Sequence, residues 1–154
     1  MKTSASTPLL LTTALLFCAA TRAFGAGVVT PNTLATQAGV QTLKSGGNAI
    51  DAAIAAALAL SVTNPHKLGI GGGGFMLVGE KGKVTAINHR EVAGSSAHPK
   101  MFLAPDGKPI PYYPERVSGP NPVGVPGTLA GFALAHKKWG KLPWKKLFEP
   151  AIEF

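Results

Sequence analysis

Apolar residues recur at helical spacing in two consecutive stretches, residues 34–44 and residues 49–62. The first stretch is apolar on one side, which predicts an amphipathic helix. The second is apolar on nearly all sides, starts after Asn48 with Asp51 three residues further on, and stops before Pro65. That start is typical of a capping box. Because the second helix would be only about 21 Å long and is rich in alanine, we expect it inside the protein rather than across a bilayer.

The spacing of apolar residues changes to that of strands after the glycine run, Gly71 to Gly74. Residues 75–80 and 84–89 flank the short segment Lys81-Gly82-Lys83, which predicts a β-hairpin. Helical spacing returns at residues 127–139, and Pro143 opens a further helix. Together these elements predict an α+β chain.

Many of the 13 prolines lie between Pro99 and Pro126. A segment so rich in proline is expected to run over the protein surface. Tyr112 and Tyr113 are the large side chains that could anchor it.

The N-terminus has the features of a secretory signal. Lys2 precedes an apolar stretch at residues 9–20, and small residues allow cleavage before Phe24 or Ala26. An uncleaved membrane anchor is the alternative, because residues 3–21 carry no charge. We therefore assign residues 1–25 to a signal peptide or anchor and residues 26–154 to the folded part. The expected location is outside the cytoplasm.

The composition is that of a globular protein, because 45% of the residues are hydrophobic. The formal net charge of +8 would suit an anionic partner, but the basic residues are scattered and the longest basic runs are pairs. These pairs lack the interleaved aromatic residues of a single-strand binding face, so we predict no nucleic-acid partner. Cys18, the one cysteine, lies in the apolar N-terminal stretch. The folded part is therefore expected to have no thiol or disulfide chemistry.

Gly69, Gly71 and Gly74 satisfy the spacing G-x-G-x-x-G of dinucleotide-binding loops. The context is reversed, however, because the glycines lead into a strand rather than out of one into a helix. No Lys-Ser or Lys-Thr pair follows, which argues against a phosphate-binding loop. Two structural interpretations stay open: the glycines allow a close backbone approach, or they supply positive φ in a turn.

Arg90 and Glu91 follow directly on the second predicted strand. A guanidinium at a strand end can hold a carboxylate through two parallel hydrogen bonds. Because neighbouring strand residues point to opposite faces, we do not expect Arg90 and Glu91 to pair with each other. Local sequence by itself favours a structural salt bridge or a solvated arginine.

The remaining polar residues form no recognisable site. The four histidines lack metal-ligand spacing and are expected to be polar surface residues; they are His66, His89, His98 and His136. Asp51 is explained by its capping position, and Ser61, Ser95 and Ser96 lack the flanks of a nucleophile elbow. We therefore predict no metal site, no cofactor and no catalytic residue within this chain.

Taken together, a set of short motifs resembles the gamma-glutamyltransferase family in order and spacing. These motifs are Thr36-Gln37-Ala38-Gly39, Gly46 to Ala53, Asn64 to Phe75, Arg90-Glu91, Val125-Pro126-Gly127, Ala130-Gly131, Trp139-Gly140-Lys141 and Glu149-Pro150-Ala151. The resemblance covers about residues 28–154. Residues 26–154 are thus identified as the N-terminal part of a gamma-glutamyltransferase large subunit, a fragment of a longer precursor.

The resemblance implies an N-terminal nucleophile hydrolase fold, an αββα sandwich made as a precursor that cuts itself into large and small subunits. It implies that the new N-terminal threonine of the small subunit, beyond Phe154, attacks the gamma-glutamyl amide. It also implies that Arg90 clamps the α-carboxylate of the substrate and that Glu91 supports the site from behind.

The implied reaction cleaves glutathione and related gamma-glutamyl compounds and passes the acyl group to water, an amino acid or a dipeptide. Three departures affect the substrate more than the membership: Leu68 for a small Ser or Thr, Asn64 for a common Glu and Gly94 for a common Pro. Beta-lactam acylases and a capsule-processing transferase resemble the same fold. An acylase of this kind and an inactive binding paralogue are therefore the alternatives.

Overall fold

The computed structural model describes residues 25–154, so the predicted signal segment lies almost wholly outside the described residues. The first two elements are helices α1 (Thr33–Lys44) and α2 (Ala49–Thr63), which pack against each other. Alanines at their contact allow a close approach of the two backbones; these are Ala35, Ala38 and Ala59. Among residues 25–154, no helix has both the length and the apolar character needed to cross a membrane.

The starts of both helices are capped by asparagine. The Asn32 side chain accepts hydrogen bonds from the backbone N–H groups of Leu34 and Ala35. Asn48 does the same for α2, and the Asp51 carboxylate accepts a return bond from the Asn48 N–H at 3.0 Å. The predicted capping box is therefore confirmed.

The predicted hairpin is also confirmed, with strands β1 (Phe75–Glu80) and β2 (Lys83–Asn88) running antiparallel. Its loop is two residues long, because Lys83 already pairs with Glu80. Lys81 has φ 49° and Gly82 has φ 77°, the left-handed conformations that a tight hairpin turn requires. One face of the hairpin packs on the core through Met76 and Ile87.

The second half of the fold contains helix α3 (Thr128–Trp139), a 3₁₀ helix (Trp144–Leu147) and the short helix α4 (Glu149–Glu153). The sequence predicted one helix after Pro143, but Pro150 has no N–H to continue an α-helix through this region, so the segment divides. Buried residues from α2, β2, α3 and the 3₁₀ helix meet in one core: Ile54, Ala55, Leu58, Ile87, Phe132, Ala135 and Leu147.

The proline-rich segment runs over the surface as predicted, but it is not anchored by its tyrosines. Tyr112 and Tyr113 are 67% and 76% exposed. The Arg116 guanidinium lies over the Tyr112 ring at 5.5 Å, a contact within the segment itself. The backbone pair Val92–Val125 instead ties the segment to the chain after β2, and the pair Leu103–Pro109 closes a loop within the segment.

Candidate substrate-binding site at the end of strand β2

The chain turns sharply where β2 ends. The Asn88 side-chain oxygen accepts a hydrogen bond from the Arg90 backbone N–H at 3.0 Å, which closes an Asx turn. The residue between them, His89, still exchanges two backbone hydrogen bonds with Gly74 at 2.9 and 3.2 Å. Arg90 therefore leaves the strand direction directly after a firmly paired residue.

A second backbone pair fixes the chain on the other side of the turn. Val92 and Val125 exchange hydrogen bonds of 3.3 and 2.8 Å. Arg90 and Glu91 are the two residues between this pair and the pair at His89. Their backbone is thus held at both ends by pairing with distant parts of the chain.

The two side chains contact each other, contrary to the expectation from the sequence. Arg90 Nε lies 3.4 Å from Glu91 Oε2. The prediction assumed strand alternation, but the Asn88 turn has already ended the extended conformation, so the alternation no longer applies. The Arg90 side chain is 59% exposed and that of Glu91 31% exposed.

Arg90 and Glu91 lie in the wall of an open cavity of about 600 Å³. The other side of the cavity comes from the proline-rich segment. Its lining includes Met101, Phe102, Asn121, Pro122 and Val123. A charged pair is thus placed at the edge of an open concavity whose lining is both polar and apolar.

The Arg90 guanidinium is suited to binding an anion here. Within residues 25–154, Glu91 is its one charged partner, and that contact uses Nε. The two terminal nitrogens remain for a ligand, and they match the two oxygens of a carboxylate. The neighbouring Glu91 carboxylate contacts the guanidinium at Nε only.

The glycine run supports this site by making room for the chain. A Cβ on Gly73 would lie 2.5 Å from the His89 oxygen and 2.7 Å from the Glu91 nitrogen. The positive-φ glycines of the described chain are Gly46, Gly82, Gly107 and Gly119, none of them in the run. Close backbone approach is therefore the correct interpretation of Gly73, and positive φ is not.

The start of α3 is hydrogen-bonded to the same glycine run. The backbone N–H groups of Gly127 and Thr128 both donate to the Gly72 oxygen, at 3.0 and 3.1 Å. In a dinucleotide-binding loop such free N–H groups would face a phosphate. Here the Gly72 carbonyl accepts a hydrogen bond from each of them.

The histidines are more varied than the sequence suggested. His66 and His98 are exposed, as expected. His89 is half-buried, its ring edge-on to Phe132 at 5.8 Å. His136 is not a surface residue, because its side chain is 20% exposed and its Nε2 lies 2.7 Å from the Leu142 oxygen.

Among the described residues, the candidate metal ligands and serines do not come together in a site. In the part of the chain that the structure describes, no three His, Cys, Asp or Glu side chains gather as metal ligands would. Ser61 donates a hydrogen bond to the Leu58 oxygen, and Ser95 is exposed. Ser96 lines the cavity but has no hydrogen-bond partner there among the described residues.

The sequence missed two contributors to the site. The cavity wall from the proline-rich segment depends on long-range folding, and no local pattern indicated it. Gly124 was also overlooked, although a Cβ there would lie 2.9 Å from Glu91 Cβ. The available signal was its position beside the motif Val125-Pro126-Gly127.

Comparison with known proteins places this geometry in context. The family model described as "Gamma-glutamyltranspeptidase" matches residues 35–154. The "Glutathione hydrolase proenzyme" of Bacillus subtilis is 50% identical over 128 residues, which are 82% of this chain and 22% of that protein. The chain therefore spans about a fifth of the length of this curated relative.

Solved structures give a similar result. The gamma-glutamyltranspeptidase from Pseudomonas nitroreducens, solved in complex with L-DON, is similar with a TM-score of 0.78 and 40% identity. That match covers 84% of this chain and 38% of the other. A cephalosporin acylase from Bacillus halodurans is similar with a TM-score of 0.66 and 41% identity, over 78% of this chain and 22% of that one.

Proposed function

Because this chain belongs to the gamma-glutamyltranspeptidase family, we propose that it is the N-terminal part of the large subunit of an enzyme that transfers and hydrolyses gamma-glutamyl groups. The observation that supports this best is the exposed Arg90 guanidinium, held by Glu91 at the edge of a cavity. The proposed substrates are glutathione and other gamma-glutamyl compounds. The similarity to a glutathione hydrolase proenzyme supports this substrate class and a processed precursor.

In the proposed reaction Arg90 binds the α-carboxylate of the gamma-glutamyl group. A bidentate contact fixes both the position and the orientation of that end of the substrate. Glu91 keeps the guanidinium in place from the other side through the 3.4 Å contact. The scissile amide is then directed away from Arg90, toward the remainder of the enzyme.

The covalent step belongs to a threonine of the small subunit, beyond Phe154. Its hydroxyl oxygen attacks the gamma-glutamyl carbonyl, an ester bond forms and the amide C–N bond breaks. The hydroxyl proton passes through the threonine's own amino group to the leaving amine. Water, an amino acid or a dipeptide then takes the acyl group, and no cofactor takes part.

The test pairs a variant with a substrate analogue in the full-length enzyme. Arg90→Ala should raise KM for a gamma-glutamyl anilide about a hundredfold, because two charge-assisted hydrogen bonds are lost. With a 4-aminobutyryl anilide, which lacks the α-carboxylate, Arg90→Ala should change kcat/KM less than about twofold, since the contact is already missing.

Arg116→Ala is the matched control, because Arg116 lies in the proline-rich segment and does not line the cavity. It should leave KM for both anilides unchanged. Equal losses of Arg90→Ala on both substrates would contradict a carboxylate clamp. Absence of glutamate release by the wild-type enzyme would favour the inactive paralogue.

A beta-lactam acylase is the second candidate, supported by the similarity to the cephalosporin acylase from Bacillus halodurans. The two candidates differ in the acyl group that the cavity accepts. Side-by-side assays with gamma-glutamyl anilide and a glutaryl cephalosporin separate them, since a glutaryl group keeps the terminal carboxylate but lacks the α-amino group. A higher kcat/KM for the cephalosporin would overturn the gamma-glutamyl proposal.

The proposed location is outside the cytoplasm: extracellular, periplasmic or on the outer face of the membrane. The support is the signal-like N-terminal segment, with Lys2 before an apolar stretch. N-terminal sequencing of the mature protein should begin at Phe24 or Ala26. A mature chain that begins at Met1 in the soluble cytoplasmic fraction would contradict export.

A further inference from the structure

We infer that Gly73 and Gly124 are positioning residues for Arg90, an inference that rests on the proposed function. Neither glycine has an atom that could touch a substrate carboxylate. Their effect is to leave room for the backbone of Arg90 and Glu91 between two parts of the chain that are distant in sequence. The guanidinium reaches the cavity edge because this backbone is not displaced.

Gly73 lies against one side of the turn. A Cβ at Gly73 would be 2.5 Å from the His89 oxygen, 2.7 Å from the Glu91 nitrogen and 2.9 Å from the Arg90 carbonyl carbon. All three are backbone atoms, so a clash with them cannot be relieved by a side-chain rotation. The backbone of Arg90 itself would have to move.

Gly124 lies against another side of the same residues. A Cβ there would be 2.9 Å from Glu91 Cβ and 3.3 Å from the Val92 oxygen. The Glu91 side chain is the charged group that contacts Arg90 at Nε. A methyl group at Gly124 would therefore displace the Glu91 side chain, whereas one at Gly73 would displace the backbone of Arg90.

The requirement at both glycines is for space rather than for an unusual backbone conformation. Neither is among the positive-φ glycines of the described chain, so a left-handed conformation is not what requires glycine there. The turn also has little freedom to adapt, because His89 and Val92 are both held in backbone pairs. An added methyl group should thus shift the backbone of Arg90.

The test uses the full-length enzyme and the kinetics of gamma-glutamyl anilide cleavage. Gly73→Ala should raise KM about tenfold or more with a smaller change in kcat, because a shift of the clamp weakens substrate positioning. Gly124→Ala should raise KM by a smaller factor. In the Arg90→Ala background neither substitution should raise KM further, since the group that they displace is gone.

Gly71→Ala is the matched control, because it lies in the same loop and a Cβ there would meet no atom within 4 Å. It should leave KM, kcat and the thermal midpoint unchanged. If Arg90→Ala raises KM but Gly73→Ala behaves like Gly71→Ala, the positioning role is wrong while the proposed function stands. If Arg90→Ala leaves KM unchanged, the proposed function itself fails.

Maturation of the precursor is measured first for each variant. If Gly73→Ala does not mature, Gly124→Ala decides, and an increase in KM that disappears in the Arg90→Ala background supports the inference. If both variants fail to mature while Gly71→Ala matures, the glycines serve folding alone and the positioning role is overturned. KM effects that persist in the Arg90→Ala background would also overturn it.

Discussion

Asp51 is buried and acidic, yet its surroundings explain it without any catalytic role. Its side chain is 0% exposed and accepts backbone hydrogen bonds from Asn48, Lys141 and Leu142 at 3.0 to 3.2 Å. The His136 ring nitrogen lies 3.9 Å away and points to the Leu142 oxygen. One carboxylate thus joins the start of α2 to the chain that leaves α3.

Asp51→Ala should lower the free energy of unfolding by about 3 kcal/mol, because a buried acceptor of backbone hydrogen bonds from three residues is lost. The control is Asp106→Ala, whose carboxylate is more than half exposed in a surface turn. It should cost less than about 1 kcal/mol. Thermal unfolding of the full-length protein measures both, and equal shifts would contradict a structural role for Asp51. Because Asp51 does not line the cavity, KM should not change in matured protein.

The Arg90–Glu91 pair shows where residue-level prediction from sequence ends. The proposed role of Arg90 came only from family resemblance, because an arginine after a strand is locally unremarkable. The pairing with Glu91 was predicted wrongly, since strand alternation was extended past Asn88. An asparagine two residues before Arg90 was the signal for a turn, and the sequence contained it.

The loop of the hairpin between β1 and β2 holds one of its residues in an unfavourable backbone conformation. Lys81 adopts φ 49°, which is unfavourable for a lysine, and Gly82 follows with φ 77°. Tight hairpin turns with two left-handed residues prefer Asn-Gly. The turn therefore has a local cost at Lys81 that the strand pairing offsets.

Lys81→Asn should raise the free energy of unfolding by about 0.5 kcal/mol, and Gly82→Ala should lower it by about 1 kcal/mol. The control is Gly79→Ala in β1, where a Cβ would meet no atom within 4 Å and φ is not positive. Thermal midpoints of the full-length protein report all three. A stabilising Gly82→Ala would contradict the left-handed turn.

Elements with local signals were predicted well, and elements decided by distant contacts were not. The helices α1, α2 and α3 followed from apolar spacing and capping residues, and their bounds differ from prediction by a residue. The cavity wall at residues 120–124 could not be predicted, because the Val92–Val125 pair that places it joins residues far apart in sequence. The prediction that Tyr112 and Tyr113 anchor the segment was wrong for the same reason. The size of a side chain does not show whether distant parts of the chain pack against it.

On the scale of the whole molecule, the α+β class and the N-terminal nucleophile hydrolase fold expected from the sequence are confirmed by the similarity to solved gamma-glutamyltranspeptidases. Residues 25–154 supply two strands of that fold. One face of this hairpin is apolar but exposed, with Phe75, Leu77 and Val84 each about 70% exposed. A two-stranded sheet of this kind is marginally stable by itself.

The stretch 26–154 produced alone should therefore be inactive and should bind a hydrophobic dye. It contains Arg90 but not the proposed threonine nucleophile, so no gamma-glutamyl anilide should be cleaved. Replacing Leu77 and Val84 together by threonine keeps β-propensity and should lower dye fluorescence by about half, because the apolar face shrinks. Val29→Thr is the control, since Val29 is 95% exposed but lies outside the hairpin, and it should leave the fluorescence unchanged. Turnover by this stretch would contradict the assignment of the chemistry to residues beyond Phe154.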